Sequence, residues 1–600
     1  MTSRESGITR DPSPQVRIAV TVDGRPVSVP PGSTVLDAVR QAGVDVPTLC
    51  SHPDLLIRGS CRLCVVSVDG KPGLVASCET PVHDGMTVRT FGADIQEARR
   101  VSLELLLARH PMECPICERS GHCELQAVAQ RLGVRAARFT PMLLPAVADR
   151  TSPSIVREPA RCILCRRCVE VCMDVQSVAA LFPAGRGYQT HIGTFMESGL
   201  AQVACALCGQ CLLACPTGAI HEVDHTERVW QAIADPERHV VVQTAPAIRV
   251  SLAEAFGAAP GEITTGKMVA ALRRLGFDEV FDTNFAADLT ILEEGHEFIG
   301  RLLSPGQSPL PMITSCSPGW IKFIEHFYPQ LLGHLSSCKS PHEMLGALVK
   351  TYYAEKREMD PARLSVVSVM PCTAKKFEAE RPEMGRDGMR DVDAVLTTRE
   401  LARMIREAGI DFASLPEEDF DEPLGLSTGA AALFGATGGV MEAALRTVYA
   451  VVTGKEAPPL EFAAVRGIDG LREAEIRING QAVRVAVAHG LGNARVLLDQ
   501  IAEGKSPYQF IEVMACPGGC IGGGGQPIPS TKEIRGRRIR AIHAVDESKA
   551  LRRSHENPAL QQLYREYLGE PGSERAHHLL HTHYTPRALW QPVEARAVVS

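Results

Sequence analysis

Twenty cysteines, most of them set two or three residues apart, constrain this chain more than any other feature. Fifteen lie between Cys50 and Cys215, and only Cys316, Cys338, Cys372, Cys516 and Cys520 follow in the remainder of the 600 residues. Thiols that close in sequence suit a loop wrapped around an inorganic core, because the intervening residues are too few for each sulfur to find its own distant disulfide partner. The first residues, MTSRESGITRDPSPQ, lack the apolar stretch of an export signal, so the expected compartment is the cytoplasm, whose thiol pool keeps disulfides reduced. Metal ligation is therefore the leading reading.

The spacings separate into four groups. Cys50, Cys61, Cys64 and Cys78 form C-x10-C-x2-C-x13-C, and four thiolates suit a [2Fe-2S] centre. Zinc is the alternative, since C-x2-C pairs also bind it, but the unequal outer gaps fit a cluster loop better. His110, Cys114, Cys117 and Cys123 form H-x3-C-x2-C-x5-C, in which one imidazole replaces a thiolate and raises the potential of the cluster. Cys162, Cys165, Cys168 and Cys172 form C-x2-C-x2-C-x3-C, and Cys205, Cys208, Cys211 and Cys215 repeat it with Pro216 completing the bacterial ferredoxin run. In such pairs the fourth cysteine serves the other cluster, which assigns Cys162, Cys165, Cys168 and Cys215 to one [4Fe-4S] centre and Cys172, Cys205, Cys208 and Cys211 to the other.

A chain of 600 residues exceeds a single core, so several domains are expected. Residues 16–48 read as a hairpin around Asp23-Gly24, then a helix capped by Ser33. Cysteine density falls sharply after 215, and beyond it apolar runs at 239–245, 364–371, 483–490 and 510–516 alternate with helical stretches, as in parallel sheets covered by helices. No apolar run reaches the ~20 residues of a membrane span. The net charge of −7, without a basic stripe, argues against nucleic acid.

Residues 16–125 resemble the N-terminal part of the large iron–sulfur subunit of respiratory complex I, a module that formate dehydrogenases and iron-only hydrogenases share. Residues 240–550 decide between these. TSCSPGW (314–320), MPCTAKKFE (370–378) and EVMACPGGCIGGGGQP (512–527) occur in order and resemble the catalytic domain of iron-only hydrogenases. The resemblance implies ferredoxin-like iron–sulfur modules, α+β and α/β in class, followed by a catalytic domain of two parallel-sheet α/β lobes. These lobes would enclose an H-cluster, a [4Fe-4S] cubane joined to a di-iron unit with CO, cyanide and an azadithiolate. With one [2Fe-2S] and three further [4Fe-4S] centres, that is the full cofactor set. The implied activity is reversible oxidation of dihydrogen, with electrons passed to ferredoxin or to an NAD(P)H-oxidising flavoprotein subunit. A hydrogen sensor and a non-catalytic iron–sulfur assembly relative are the alternatives.

By this resemblance Cys372, Cys516 and Cys520 ligate the cubane, with Cys520 bridging to the di-iron unit. Lys375 donates to a cyanide, and Met370, Met514, Phe434, Ala245 and Pro246 surround the di-iron unit. Cys316 passes protons to the bridging amine, fed by Glu294, Glu297, Ser336 and Arg301. Glu294, Glu297 and Arg301 can share one helix face. Two departures stand out. Ser317 occupies the position of a cubane cysteine, and His342 replaces a usual glutamine near the di-iron site, where it could titrate near neutral pH. Because five cysteines remain and the family needs five, Cys338 is expected to supply the missing ligand. Ser317 through its oxygen, and Cys316, are the alternatives.

The expected boundaries are a disordered tail at 1–15, a [2Fe-2S] domain at 16–94, a His/Cys3 domain at 95–152, a two-cluster ferredoxin domain at 153–226, the catalytic domain at 227–550, a helical segment at 551–585 and a tail at 586–600. The segment 551–585 resembles the separate small subunit of other family members, and its histidines, 577, 578, 581 and 583, are expected to pack or face solvent.

Overall fold

Asp23 and Gly24 both adopt positive φ, 49° and 79°, as a two-residue hairpin requires, and they turn strand Ile18–Val22 antiparallel onto Arg25–Val29. The following helix, Val35–Gln41, is capped by Thr34 and not by the expected Ser33. A capping box needs an acidic residue three positions on, and Asp37 stands in that register to Thr34: it accepts from Thr34 N at 2.8 Å while Thr34 Oγ1 accepts from Asp37 N. Strands Met86–Arg89, Val65–Val68 and Leu74–Ala76 complete a five-stranded sheet. The computed structural model describes residues 17–136, 138–141, 143, 147–304, 306, 308–455 and 465–592; the expected tail at 1–15 lies outside the described residues.

Helix Ala93–Ala108 leads into the His110–Cys123 loops. The next module is closed by the antiparallel pair Ile155–Arg157 and Ile220–Glu222, and each of its two cysteine runs feeds a short helix, Arg167–Glu170 or Gln210–Ala214.

The second half holds two sheets. In the first, Glu279–Asp282, His239–Thr244, Leu364–Met370 and Ala394–Thr397 run parallel in that order. In the second, Met312–Ile313, Phe510–Met514 and Gln481–His489 are parallel and Leu471–Ile478 adds an antiparallel edge. Every residue of Leu364–Met370 and of Phe510–Met514 is buried, as expected of strands covered on both faces. The chain leaves both sheets at strand ends marked by Ala245, Cys372, Cys316 and Cys516, and crevices beyond carboxyl ends of parallel strands are where such folds bind ligands.

Leu560, Leu563, Tyr564 and Leu568 are buried in the same core as the first sheet, so the C-terminal segment wraps the catalytic domain. Within residues 586–592, expected to be tail, the chain stays largely exposed but is tied to the body at Arg587 and Trp590. Arg587 Nε donates to Glu325 at 2.6 Å and Trp590 sits edge-on to Phe195. No local pattern marks these contacts, because both partners lie far away in sequence. No helix among the described residues is long and apolar enough to cross a membrane.

Candidate active site and its electron wiring

Three of the four ligand groups come together in space, and the His110 group does so in part. Cys50 contacts Cys61 and Cys78, Cys64 contacts Cys78, and all four are buried. His110 is buried with Nδ1 lacking any hydrogen-bond partner, and burial followed by the Arg161 charge depresses its pKa to about 4. A neutral imidazole with a free buried nitrogen is what ligation requires. Cys117 lies against Gly218, where a Cβ would meet its sulfur at 2.6 Å, and Cys123 Sγ contacts the Pro216 carbonyl at 3.7 Å. One hollow is lined by Cys162, Cys165, Cys168 and Cys215, and a second by Cys172, Cys205, Cys208 and Cys211. The fourth cysteine of each run thus faces the hollow of the other.

These sites adjoin one another. Cys165 shares a core with Cys50 and Cys61, and Arg167 donates to the Ser51 carbonyl at 2.8 Å. At the far end, Gln176 Nε2 donates to Cys208 Sγ at 3.3 Å and to the Ala515 carbonyl at 2.9 Å, while Gln210 Nε2 donates to the Gly522 carbonyl at 2.9 Å. Gln176 and Gln210 were not legible in the sequence, because a glutamine in or just after a cysteine run carries no pattern of its own.

Beyond that junction, Cys372, Cys516 and Cys520 act on one another across one buried space, which Cys316 and Lys375 also border. Burial pushes all four thiols up, so they hold protons until a metal takes their place as counter-charge. The glycine run makes the enclosure tight. A Cβ at Gly519 would lie 2.6 Å from Thr437 N, and one at Gly523 2.0 Å from the Pro371 carbonyl. Phe434 and Met514 pack with Cys316 in one cluster, Met370 is buried at its strand end, and Ala245 N donates to the Val369 carbonyl at 3.0 Å with Pro246 buried beside it. The donor set and the backbone cradle therefore fit a bulky iron–sulfur group.

Lys375 Nζ donates to Glu378 Oε2 at 2.6 Å and to the Cys316 carbonyl at 3.2 Å. His342 Nε2 meets the same Glu378 oxygen at 2.8 Å. Burial opposes ionisation of Glu378, but Lys375 and His342 outweigh it and hold its pKa down at about 2. For His342, burial and Lys375 disfavour the imidazolium, and Glu343 and Glu378 overcome them, so its pKa is raised. The two carboxylates therefore favour the protonated imidazole of His342 despite its burial near Lys375. Glu378 follows Lys375 by three residues on helix Ala374–Glu378, a spacing at which opposite charges on a helix meet.

Glu294, Glu297 and Arg301 share helix Thr283–Leu303. Glu294 acts on Cys316 and borders Ser336, whose hydroxyl donates to Glu297 Oε2 at 3.1 Å. Glu297 Oε1 accepts from Arg301 at 2.6 Å. Burial, then the neighbouring Glu297 charge, pushes Glu294 up to about 8.

Cys338 does not join the cubane cysteines. Its sulfur lies within 4.8 Å of a Glu297 oxygen and a His581 nitrogen, and the charges that act on it are Glu297, Glu294 and Glu293. The loop turns it toward helix Thr283–Leu303, where backbone pairing with His581 holds it. Ser317, by contrast, accepts from Ala515 N at 3.2 Å through Oγ, one residue before Cys516. The expectation that Cys338 completes the cubane is not met in this geometry: its sulfur is grouped with Glu297 and His581, and none of Cys372, Cys516 and Cys520 is among the groups that act on it.

Residues 238–524 match the C-terminal domain of the iron only hydrogenase large subunit, and 532–587 the iron hydrogenase small subunit. The wiring half matches a 2Fe-2S iron–sulfur cluster binding domain (15–92), the NADH-ubiquinone oxidoreductase-G iron–sulfur binding region (99–138) and the ferredoxin-like domain of NADH-quinone oxidoreductase subunit 3 (152–221). The chain is 50% identical to the NADP-reducing hydrogenase subunit HndD of Solidesulfovibrio fructosivorans, over 95% of this chain and 99% of that one. It belongs to the iron-only hydrogenases. It is also 41% identical to iron hydrogenase 1 of Clostridium pasteurianum, over 94% of this chain and 99% of that one. A solved variant of the apo [FeFe]-hydrogenase HydA1 of Chlamydomonas reinhardtii superposes with a TM-score of 0.56 at 46% identity, covering 61% of this chain and all of that one. Iron–sulfur binding domains precede the hydrogenase catalytic domain in this chain.

Proposed function

We propose that the chain interconverts dihydrogen, protons and electrons at an H-cluster held by Cys372, Cys516, Cys520 and, through its oxygen, Ser317. The observation that carries this is the enclosure where three cysteines, Cys316 and Lys375 meet, with the Cys208 loop packed on its wall. When bound, the H-cluster supplies the metal chemistry of H2 cleavage. Everything else falls to side chains. Lys375 presents a strong donor to an anionic ligand in a dry site, and Glu378 keeps that ammonium charged. Met370, Met514, Phe434, Ala245 and Pro246 exclude water, and His342 holds the same Glu378 oxygen as Lys375.

Protons move through Cys316, Glu294, Ser336 and Glu297, with Arg301 fixing Glu297. The high pKa of Glu294 supports this reading, because a carboxyl poised near 8 both holds and releases a proton close to neutral pH. Iron–sulfur centres would supply the electron path, with Cys172, Cys205, Cys208 and Cys211 holding the one next to the active site and Cys162, Cys165, Cys168 and Cys215 the one beyond it. Two surface-side centres adjoin the latter: the [2Fe-2S] site of Cys50, Cys61, Cys64 and Cys78 and the [4Fe-4S] site of His110, Cys114, Cys117 and Cys123. A complex-I-like [2Fe-2S] domain favours an NAD(P)H-oxidising flavoprotein as the docking partner, with ferredoxin the other candidate. The enzyme works in the cytoplasm.

Infrared spectra of the matured enzyme with a gas assay test this directly: CO and cyanide bands and H2 turnover are expected. Cys316→Ala keeps the bands and loses about 10²- to 10⁴-fold in turnover, the usual contribution of a positioned proton donor. Absence of the bands from the matured wild type refutes the assignment, and near-normal turnover in the variant refutes the relay.

A further inference from the structure

Cys338 and Cys316 are the only cysteines that no proposed iron–sulfur centre uses, and Cys338 is fully buried beside two other metal-ligating side chains. Glu297, Cys338 and His581 each present one ligand atom, and the three atoms lie within 4.8 Å of one another. Carboxylate, thiol and imidazole together are a zinc donor set. Bond lengths of about 2.0–2.3 Å place tetrahedral donors about 3.5 Å apart, so the three need close by only about an ångström.

The surroundings are organised for that purpose. Cys338 and His581 are locked by backbone pairing, with Lys339 N donating to the Leu580 carbonyl at 2.8 Å and Thr582 N to the Ser337 carbonyl at 2.7 Å. His581 Nε2 meets Glu293 Oε2 at 3.2 Å, which leaves Nδ1 as the ligating nitrogen and forms the carboxylate–histidine pairing that orients metal-bound imidazoles. Glu293 is itself held by Tyr564 Oη and by Gly572 N at 2.9 Å. Ser337 Oγ lies between the donors, 2.8 Å from His581 Nδ1 and 3.1 Å from Glu297 Oε2, where it can supply a fourth ligand or give way. The Glu297 side chain is 18% exposed, so the site is reachable from the surface.

We propose that Glu297, Cys338 and His581 form a regulatory site for Zn²⁺ or a similar divalent ion, and that an ion there halts turnover by engaging Glu297. Binding converts the Cys338 thiol to a metal thiolate and releases its proton to solvent, with no change of oxidation state. The inhibitory half rests on the relay proposed above.

The test is a Zn²⁺ titration of the matured enzyme in metal-free buffer, read by turnover, iron content and zinc K-edge absorption. One equivalent of zinc with one sulfur at about 2.3 Å is expected, together with loss of turnover that a chelator restores at unchanged iron content. Cys338→Ala and Cys338→Ser, which preserves volume, keep turnover in metal-free buffer but lose the sulfur signal and tolerate zinc. Glu293→Gln weakens zinc binding by about 10- to 100-fold. Zinc without a sulfur neighbour, loss of iron on titration, or equal zinc sensitivity in the Cys338 variants overturns the site. Sulfur-ligated zinc with undiminished turnover leaves the site standing, overturns the regulation and counts against the Glu297 relay.

Discussion

Gly524 is packed so closely on Cys208 that a Cβ would stand 2.5 Å from the Cys208 carbonyl oxygen and 2.7 Å from Gly209 Cα. The active-site loop and the last wiring loop therefore touch backbone to backbone, which shortens the distance an electron must cross. Gly524→Ala forces them apart, at an overpacking cost of about 1–3 kcal/mol. A lower Tm is expected, and H2 oxidation with an external acceptor falls more than H/D exchange, which needs no electron to leave. Equal loss in both assays argues against a wiring role.

Glu294 makes stability depend on pH. Its folded pKa is raised to about 8 from 4.5, so its contribution is full below about 4.5 and is lost as pH rises through 8. The slope is at most about 1.4 kcal/mol per pH unit for one proton. Glu294→Gln, which cannot ionise, should flatten denaturant midpoints between these values and abolish turnover. An unchanged pH profile in the variant removes Glu294 as the source.

Glu378 is shared by two buried basic side chains, Lys375 and His342. Glu378→Gln leaves the buried Lys375 ammonium without its carboxylate and should cost about 3–5 kcal/mol, the range for breaking a buried pair from one side. Thermal unfolding checks this. Because the pKa of Glu378 is held down at about 2, wild-type stability from this carboxylate is present above its ordinary value of 4.5 and is lost as pH falls toward 2.

Ser317 is expected to bind the fourth cubane iron through oxygen. The matured wild type should contain about 20 iron atoms: two, three sets of four, and six. Ser317→Ala should lose about one of them, while Ser317→Cys keeps all and shifts the cubane potential, since thiolate is the softer donor. Full iron and an unchanged EPR spectrum in Ser317→Ala dismiss the serine as a ligand.

Much of this protein was legible in one dimension because cluster ligands and glycine cradles are local. A thiolate loop must return to the same inorganic core within a few residues, so C-x2-C-x2-C-x3-C names its chemistry by spacing, while the C-x3-C of Cys516 and Cys520 did so only through the family resemblance. The apolar runs likewise announced both parallel sheets, since strands buried on two faces lose their polar alternation. Counting alone misassigned Cys338. Five leftover cysteines matched five needed positions, yet a ligand must also point at its metal, and the fold turned Cys338 toward Glu297 and His581. His581 lies 288 residues from Glu293 and 244 from Ser337, and no local pattern relates residues so far apart. Only the wrapping of the C-terminal segment over helix Thr283–Leu303 brings them together, and it does so by burying Leu560, Leu563 and Leu568, whose apolar spacing specifies that they pack but not what they carry alongside.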